Sequence, residues 1–102
     1  MGTVYPGRLL DLSSGGAFVE TAQSLTCGDR LFIIFKAHSR KKVIYLNLQA
    51  KVVYTGRFLQ GFGNFYGFGA RFVHLSHEDI LKLHRVLENS DGFPEKKFEL
   101  IP

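Results

Sequence analysis

The sequence predicts an all-β domain with one C-terminal helix, arranged as an antiparallel barrel of five or six strands. Turn residues divide most of the chain into short apolar segments, and one long segment alternates apolar and polar residues throughout. A single helical pattern follows the last strand. This order, strands first and one helix last, favours a barrel that the helix closes or covers.

Each strand is delimited by turn residues and identified by its periodicity. The clearest is the segment 44–54, where one face is almost wholly apolar and includes Val52 and Tyr54. Residues 55–64 are rich in glycine and phenylalanine and predict a long, mobile connection. The other predicted strands cover residues 3–12, 17–21, 30–36 and 65–73.

The helix is predicted from its N-terminal signals. Ser76 is the expected N-cap, and Asp79, three residues later, completes a capping box. Ile80, Leu83 and Leu87 share one helical face, which we expect to pack onto the barrel. The helix pattern stops at the turn residues that begin at Asn89.

Length and composition limit the domain organisation and the partners. With 102 residues the chain has room for one domain, predicted at 1–90, and a C-terminal tail at 91–102 with no assigned structure. The net charge of +4 suits a nucleotide or phosphate ligand. No aromatic-basic stripe or recognition helix accompanies it, so binding to a DNA or RNA polymer is not expected.

The same composition indicates a soluble cytoplasmic protein. Cys27 is the only cysteine, which rules out an intrachain disulfide and favours a reducing compartment. The sequence shows no signal peptide and nothing near the roughly 20 apolar residues of a membrane helix, so we expect no membrane insertion.

No arrangement of residues predicts catalysis. His77 and His84 lie seven residues apart on the helix, but no carboxylate-histidine spacing resembles a metal-binding helix motif. Gly15 and Gly16 lack the flanking pattern of a nucleophile elbow. We therefore predict that the chain is not an enzyme and has no catalytic residue, metal or cofactor.

The segment from Asp11 to Gly16 is the candidate ligand-binding site. In an extended segment, a carboxylate and a hydroxyl two residues apart point the same way, and the carboxylate can accept hydrogen bonds from the N–H edge of guanine. The glycines would let the backbone approach the ligand and would adopt conformations that other residues avoid. An ordinary turn is the alternative, because Asp and Ser often initiate turns and Gly-Gly often completes them.

Several blocks of the chain resemble the PilZ domain family. Asp11, Ser13 and Gly16 match the three fixed positions of its Asp/Asn-x-Ser-x-x-Gly motif. Three further blocks occur in the family's order, so the likeness extends over roughly residues 7–87. These blocks are the turn at 25–31, the strand end at 50–54, and the glycine-x-glycine strand at 67–72 with its step into the helix.

The resemblance implies a six-stranded antiparallel β-barrel that binds cyclic di-GMP, a bacterial second messenger. It would signal by reorienting an arginine-containing arm upstream of the barrel, or a partner domain. The implied ligand site comprises Asp11, Ser13 and Gly16, with Ser14, Gly15 and Tyr54 beside them. Tyr54 would pack against a base. Its alternative role is that of a core or rim aromatic.

The sequence departs from the family in its arginines. PilZ receptors carry an Arg-x-x-x-Arg motif upstream of the barrel, whereas no two arginines here are four residues apart. Either the chain is a fragment of a protein that carries the pair upstream, or the natural protein lacks the pair. In both cases we expect the absence of the pair to weaken nucleotide binding by this chain. The alternative function is a PilZ-like adaptor that binds another protein, or another domain of a longer chain, in pilus, flagellar or polysaccharide-export regulation. Its surface would use aromatic residues at positions 58, 62, 65 and 66.

Overall fold

A computed structural model describes residues 4–39, 42–60, 63–89 and 95–101. Within these ranges the chain forms seven strands and one helix. In chain order they are β1 (Val4–Pro6), β2 (Arg8–Leu12), β3 (Gly16–Glu20), β4 (Arg30–Ser39), β5 (Lys42–Gln60), β6 (Gly63–Phe72), α1 (His77–Asn89) and β7 (Glu95–Ile101).

All seven strands belong to one antiparallel sheet in the order β1-β7-β4-β5-β6-β3-β2. The strands at its two ends, β1 and β2, follow each other in the chain with only Gly7 between them. Pro6 pairs with Lys97 of β7, whereas Arg8 pairs with Glu20 of β3. The sheet therefore curls into a barrel-like shape, and residues 4–12 connect its two ends.

The predicted fold class is confirmed in its main features: the protein is mostly β, with a curled antiparallel sheet and a C-terminal helix. The predicted count of six strands is wrong, because the described residues already form seven strand segments in the sheet. The first predicted strand divides at Gly7. Residues 95–101, predicted as tail, form β7 and pair with β4 and β1. Four of these seven residues are charged, which hides the strand in the sequence.

The predicted long connection at 55–64 is also wrong for the described residues. Strand β5 continues to Gln60 and β6 begins at Gly63. The two strands stay paired over this stretch, for example Thr55 with Phe68 and Arg57 with Tyr66. The aromatic residues favour a pleated surface, and here that preference outweighs the glycines.

The core lies on the inner face of the curled sheet, where alternate residues of β4 and β5 are buried. Leu83 and Val86 of α1 join this core, whereas Ile80 and Leu87 are exposed. The predicted helical face is therefore wrong at its edges, because the buried stripe is rotated toward Val86.

The predicted capping box is confirmed at the start of α1. The backbone N–H of Asp79 donates to the Ser76 hydroxyl over 3.0 Å, and the N–H of Ser76 donates to the Asp79 carboxylate over 3.3 Å. These two bonds satisfy N–H groups that have no partner within the helix. The cap fixes where the helix starts after the last strand of the barrel.

Candidate functional site

Strand β2 contains a bulge immediately before Asp11. Leu9 pairs with Val19 and the next pair is Asp11 with Phe18, so Leu10 is an extra residue. In a regular strand, residues 9 and 11 would share one face. Instead Leu9 is buried and Asp11 is exposed. The bulge thus turns the Asp11 carboxylate away from the core.

A second bulge in β5 does the same for Tyr54. Val52 pairs with Ala70 and the next pair is Tyr54 with Gly69, which makes Val53 the extra residue. Val52 is buried, whereas Tyr54 is 48% exposed. The prediction that Tyr54 continues the apolar face of this strand is wrong, because the extra residue reverses the alternation.

The two bulges place Asp11 and Tyr54 in one cross-strand row on the outer face. Asp11 pairs with Phe18, Phe18 with Gly69, and Gly69 with Tyr54. We call these four residues the outer row. The rings of Phe18 and Tyr54 stack with centroids 5.9 Å apart and an interplanar angle of 26°. They reach each other across Gly69, where a Cβ atom would collide with the Tyr54 ring.

The turn beside the outer row is held by its own hydrogen bonds. The N–H of Ser13 donates to the carbonyl of Gly16 over 2.9 Å. The Ser13 hydroxyl accepts from the N–H groups of Gly15 and Gly16 over 3.3 and 3.2 Å. One oxygen of Asp11 accepts from the N–H of Leu12 over 2.9 Å, which orients the carboxylate and leaves its second oxygen open.

Glycine is required at position 16 for space and not for conformation. A Cβ atom there would collide with the backbone carbonyl of Ala70 on β6. At Gly15 the same atom would meet nothing within 4 Å. Neither residue has φ in the left-handed region, which among the described residues is adopted by Gly28 and His74. The expectation of unusual glycine conformations in this turn is therefore wrong.

A shallow concavity of about 190 Å³ brings most of the predicted site residues together. Ser14 and Gly15 lie exposed in the turn and do not line it. Sequence reasoning missed Phe18, whose signal is its position two residues after the turn. The lining residues are Asp11, Ser13, Gly16, Ala17, Phe18, Val53, Tyr54, Gly69 and Ala70.

The family assignment rests on a comparison that covers most of the chain. A family model described as the PilZ domain matches residues 1–89. The chain belongs to the PilZ domain family. Comparison with curated proteins and with solved structures gives no significant match. PilZ domains generally bind cyclic di-GMP or act as adaptors.

Other features of this PilZ domain bear on the chemistry of the site. Arg8, the arginine nearest to Asp11 in the sequence, forms an ion pair with Glu20 at 3.2 Å, so its charge is already partnered. Within the described ranges, no group of three His, Cys, Asp or Glu side chains could hold a metal ion. Helix α1 is too short and too polar to cross a membrane.

Proposed function

We propose that this PilZ domain is a receptor domain for cyclic di-GMP, which binds at the concavity beside the outer row. The observation that supports this most strongly is the convergence of Asp11, Ser13, Gly16 and Tyr54 on one concavity. Tyr54 is distant in sequence and reaches the turn only because of the β5 bulge.

Asp11 supplies the polar recognition of the base. A carboxylate accepts two hydrogen bonds at once, which matches the paired N–H donors on one edge of guanine. The bond from the Leu12 N–H holds this carboxylate in place before the ligand arrives. The Ser13 hydroxyl lies 3.4 Å from the Gly16 carbonyl oxygen, which makes this a long contact. The hydroxyl can therefore give up this contact and donate its proton to a phosphate oxygen of the ligand instead.

The aromatic pair supplies the apolar contact. Tyr54 is about half exposed, and the stacking of its ring on Phe18 restricts the rotation of that ring. Stacking of a base on an aromatic side chain contributes about 1–3 kcal/mol by alanine substitution. The volume of about 190 Å³ is below the roughly 300–1,000 Å³ of pockets that enclose whole ligands. The concavity therefore takes one base, and the rest of the ligand lies over the outer surface.

Titration calorimetry with cyclic di-GMP tests this proposal on the present chain and on a version extended upstream. We expect binding that is at least about tenfold weaker in Asp11→Ala, because a charged acceptor of two hydrogen bonds is lost. Glu78→Ala is the matched control, since Glu78 is an exposed carboxylate on α1 whose ion pair with Lys82 spans one helical turn. It should leave the affinity unchanged.

Two results would contradict the receptor function. One is that neither the chain nor its extended version binds cyclic di-GMP. The other is binding that Asp11→Ala leaves as tight as before. Binding by the extended version alone would mean that residues outside this sequence complete the site.

An adaptor function is the second candidate, favoured by a groove of about 300 Å³ between the sheet and α1. Tyr45 lines this groove and is 66% exposed, and an exposed aromatic beside a cleft is typical of protein interfaces. Of the aromatic residues predicted for this role, Tyr66 lies under the Arg57 guanidinium at 5.1 Å and Phe65 is half-buried. The side chain of Phe58 and all of Phe62 lie outside the described residues.

The adaptor function predicts a partner whose capture depends on the groove. Affinity capture from a lysate of the source organism should lose that partner with Tyr45→Ser and keep it with Asp11→Ala. Capture that survives Tyr45→Ser would count against a role of the groove.

A further inference from the structure

A row of three cations lies on the outer face beside the outer row. Lys51 of β5 is the cross-strand partner of both Arg30 on β4 and Arg71 on β6. All three residues are exposed. They lie on the outer face, since their neighbours along the strands are buried on the inner face: Leu31, Val52, Ala70 and Phe72. We call Arg30, Lys51 and Arg71 the basic row.

The basic row is continuous with the candidate nucleotide site. Arg71 pairs with Gly16, which closes the Asp11 turn, and lies two residues after Gly69 of the outer row. Two residues along a strand span about 7 Å. A ligand whose base lies over Tyr54 therefore extends over the basic row in one direction.

The basic row places like charges side by side, which does not stabilise the ligand-free protein. Side chains directly opposite each other on neighbouring strands lie about 4.5–5.5 Å apart at Cβ, and like charges in such pairs are destabilising. Among the described side chains no carboxylate forms an ion pair with any of the three cations. A cluster of like charges attracts counter-ions, so an anionic ligand can supply the opposite charge that these three cations lack among the described side chains.

We propose that the basic row is an anion site that holds the phosphodiester groups of the nucleotide bound at the outer row. This inference rests on the proposed function, and it assigns the phosphate contacts to residues of the barrel itself. Three cations on adjacent strands span about 10 Å, or two strand spacings. Guanidinium and ammonium groups are the usual protein partners of phosphate oxygens.

Binding measurements on variants test the row directly. We expect Lys51→Gln and Arg71→Gln each to weaken binding of cyclic di-GMP by about tenfold, and Lys51→Arg to retain it. Lys42→Gln is the matched control, because it removes an exposed lysine of the same strand about 30 Å from Lys51. Affinity of the unmodified chain should fall as salt rises, because exposed charges are screened.

Chemical-shift mapping on the ¹⁵N-labelled chain separates this proposal from the proposed function. Guanosine should shift the amides of the Asp11 turn, and inorganic pyrophosphate those of the basic row. If pyrophosphate shifts the amides of the basic row but cyclic di-GMP does not bind at all, the receptor function is contradicted and the anion site is still supported. Pyrophosphate shifts that avoid the row, or full affinity for cyclic di-GMP in Lys51→Gln and Arg71→Gln, would overturn the anion site.

A short single-stranded oligonucleotide completes the set of probes. We expect it to bind more weakly than cyclic di-GMP. Tighter binding that Lys51→Gln abolishes would assign the basic row to a nucleic-acid strand and overturn the proposal.

Discussion

Substitution of Gly16 by alanine tests whether the Asp11 turn depends on close approach of two backbones. The added Cβ atom would collide with the carbonyl oxygen of Ala70. It would also lie 3.3 Å from the carbonyl carbon of Ala70 and 3.4 Å from the Cα atom of Arg71. These are backbone atoms, and they cannot rotate away as the end of a side chain can. Strands β3 and β6 must therefore separate locally.

The magnitude follows from two opposing effects. Overpacking costs about 1–3 kcal/mol, whereas replacing glycine by alanine stabilises by about 0.4–1 kcal/mol through the unfolded chain. The net loss in the free energy of unfolding lies between about 0 and 2.6 kcal/mol, and the midpoints of the two ranges give about 1.3 kcal/mol. At about 1.5 kcal/mol, a domain of this size loses about 6–12 °C in Tm.

Two further glycines provide graded comparisons. Gly15→Ala should leave stability within about 0.5 kcal/mol, since nothing lies within 4 Å of the added atom. At Gly69 the added atom meets the ring of Tyr54, which is half exposed and can turn away. The lost stacking, about 0.5–1.5 kcal/mol, nearly cancels the gain from the unfolded chain. Gly69→Ala should therefore fold normally and bind nucleotide poorly.

Thermal and urea denaturation followed by circular dichroism measure the series. The expected order of stability places Gly15→Ala highest and Gly16→Ala lowest. If Gly16→Ala is as stable as Gly15→Ala, the close approach of β3 and β6 does not hold the turn, and the reasoning fails.

The remaining predictions concern the helix cap and the basic row. Ser76→Ala removes the hydroxyl that accepts from the Asp79 N–H, and it should lower the free energy of unfolding by about 1 kcal/mol in denaturation experiments. Ser76→Asp should retain most of that stability. Equal stability of the two variants would show that the cap is not needed. Lys51→Gln should raise the stability of the ligand-free protein by about 0.2–1 kcal/mol at low salt, because it relieves like-charge pairs with Arg30 and Arg71. High salt should remove that difference, and a gain that persists there would refute the electrostatic explanation.

The sequence predicts the parts of the fold that follow regular periodicity. The alternation of residues 44–52 within β5 and the Ser76 capping box both identify their elements correctly, because each residue there obeys the local rule. Strand β7 escapes prediction because charge dominates its composition, and only its pairing with β4 and β1 reveals it.

The candidate site is predictable at the turn and unpredictable in its assembly. The residue types at Asp11, Ser13 and Gly16 indicate a ligand, and the structure places all three at one concavity. Two bulges determine which side chains join them, and an extra residue in a strand leaves no mark in a single sequence. For this reason the period-two pattern assigned Tyr54 to the core face, and Phe18 received no role at all.

The candidate site uses exposed side chains for contacts with a ligand and a backbone contact to position its turn, so it is compatible with a stable fold. Asp11, Tyr54 and Lys51 are exposed, so changing them alters the surface and leaves the packed core intact. Gly16 contributes no side chain, yet its position against Ala70 brings β3 and β6 close enough to position the turn. The residues proposed for recognition can therefore vary at little cost to folding, whereas Gly16 cannot. A substitution that abolishes binding but keeps the stability should accordingly identify a recognition residue of this domain. A substitution that lowers both binding and stability should identify a residue that positions the site, such as Gly16.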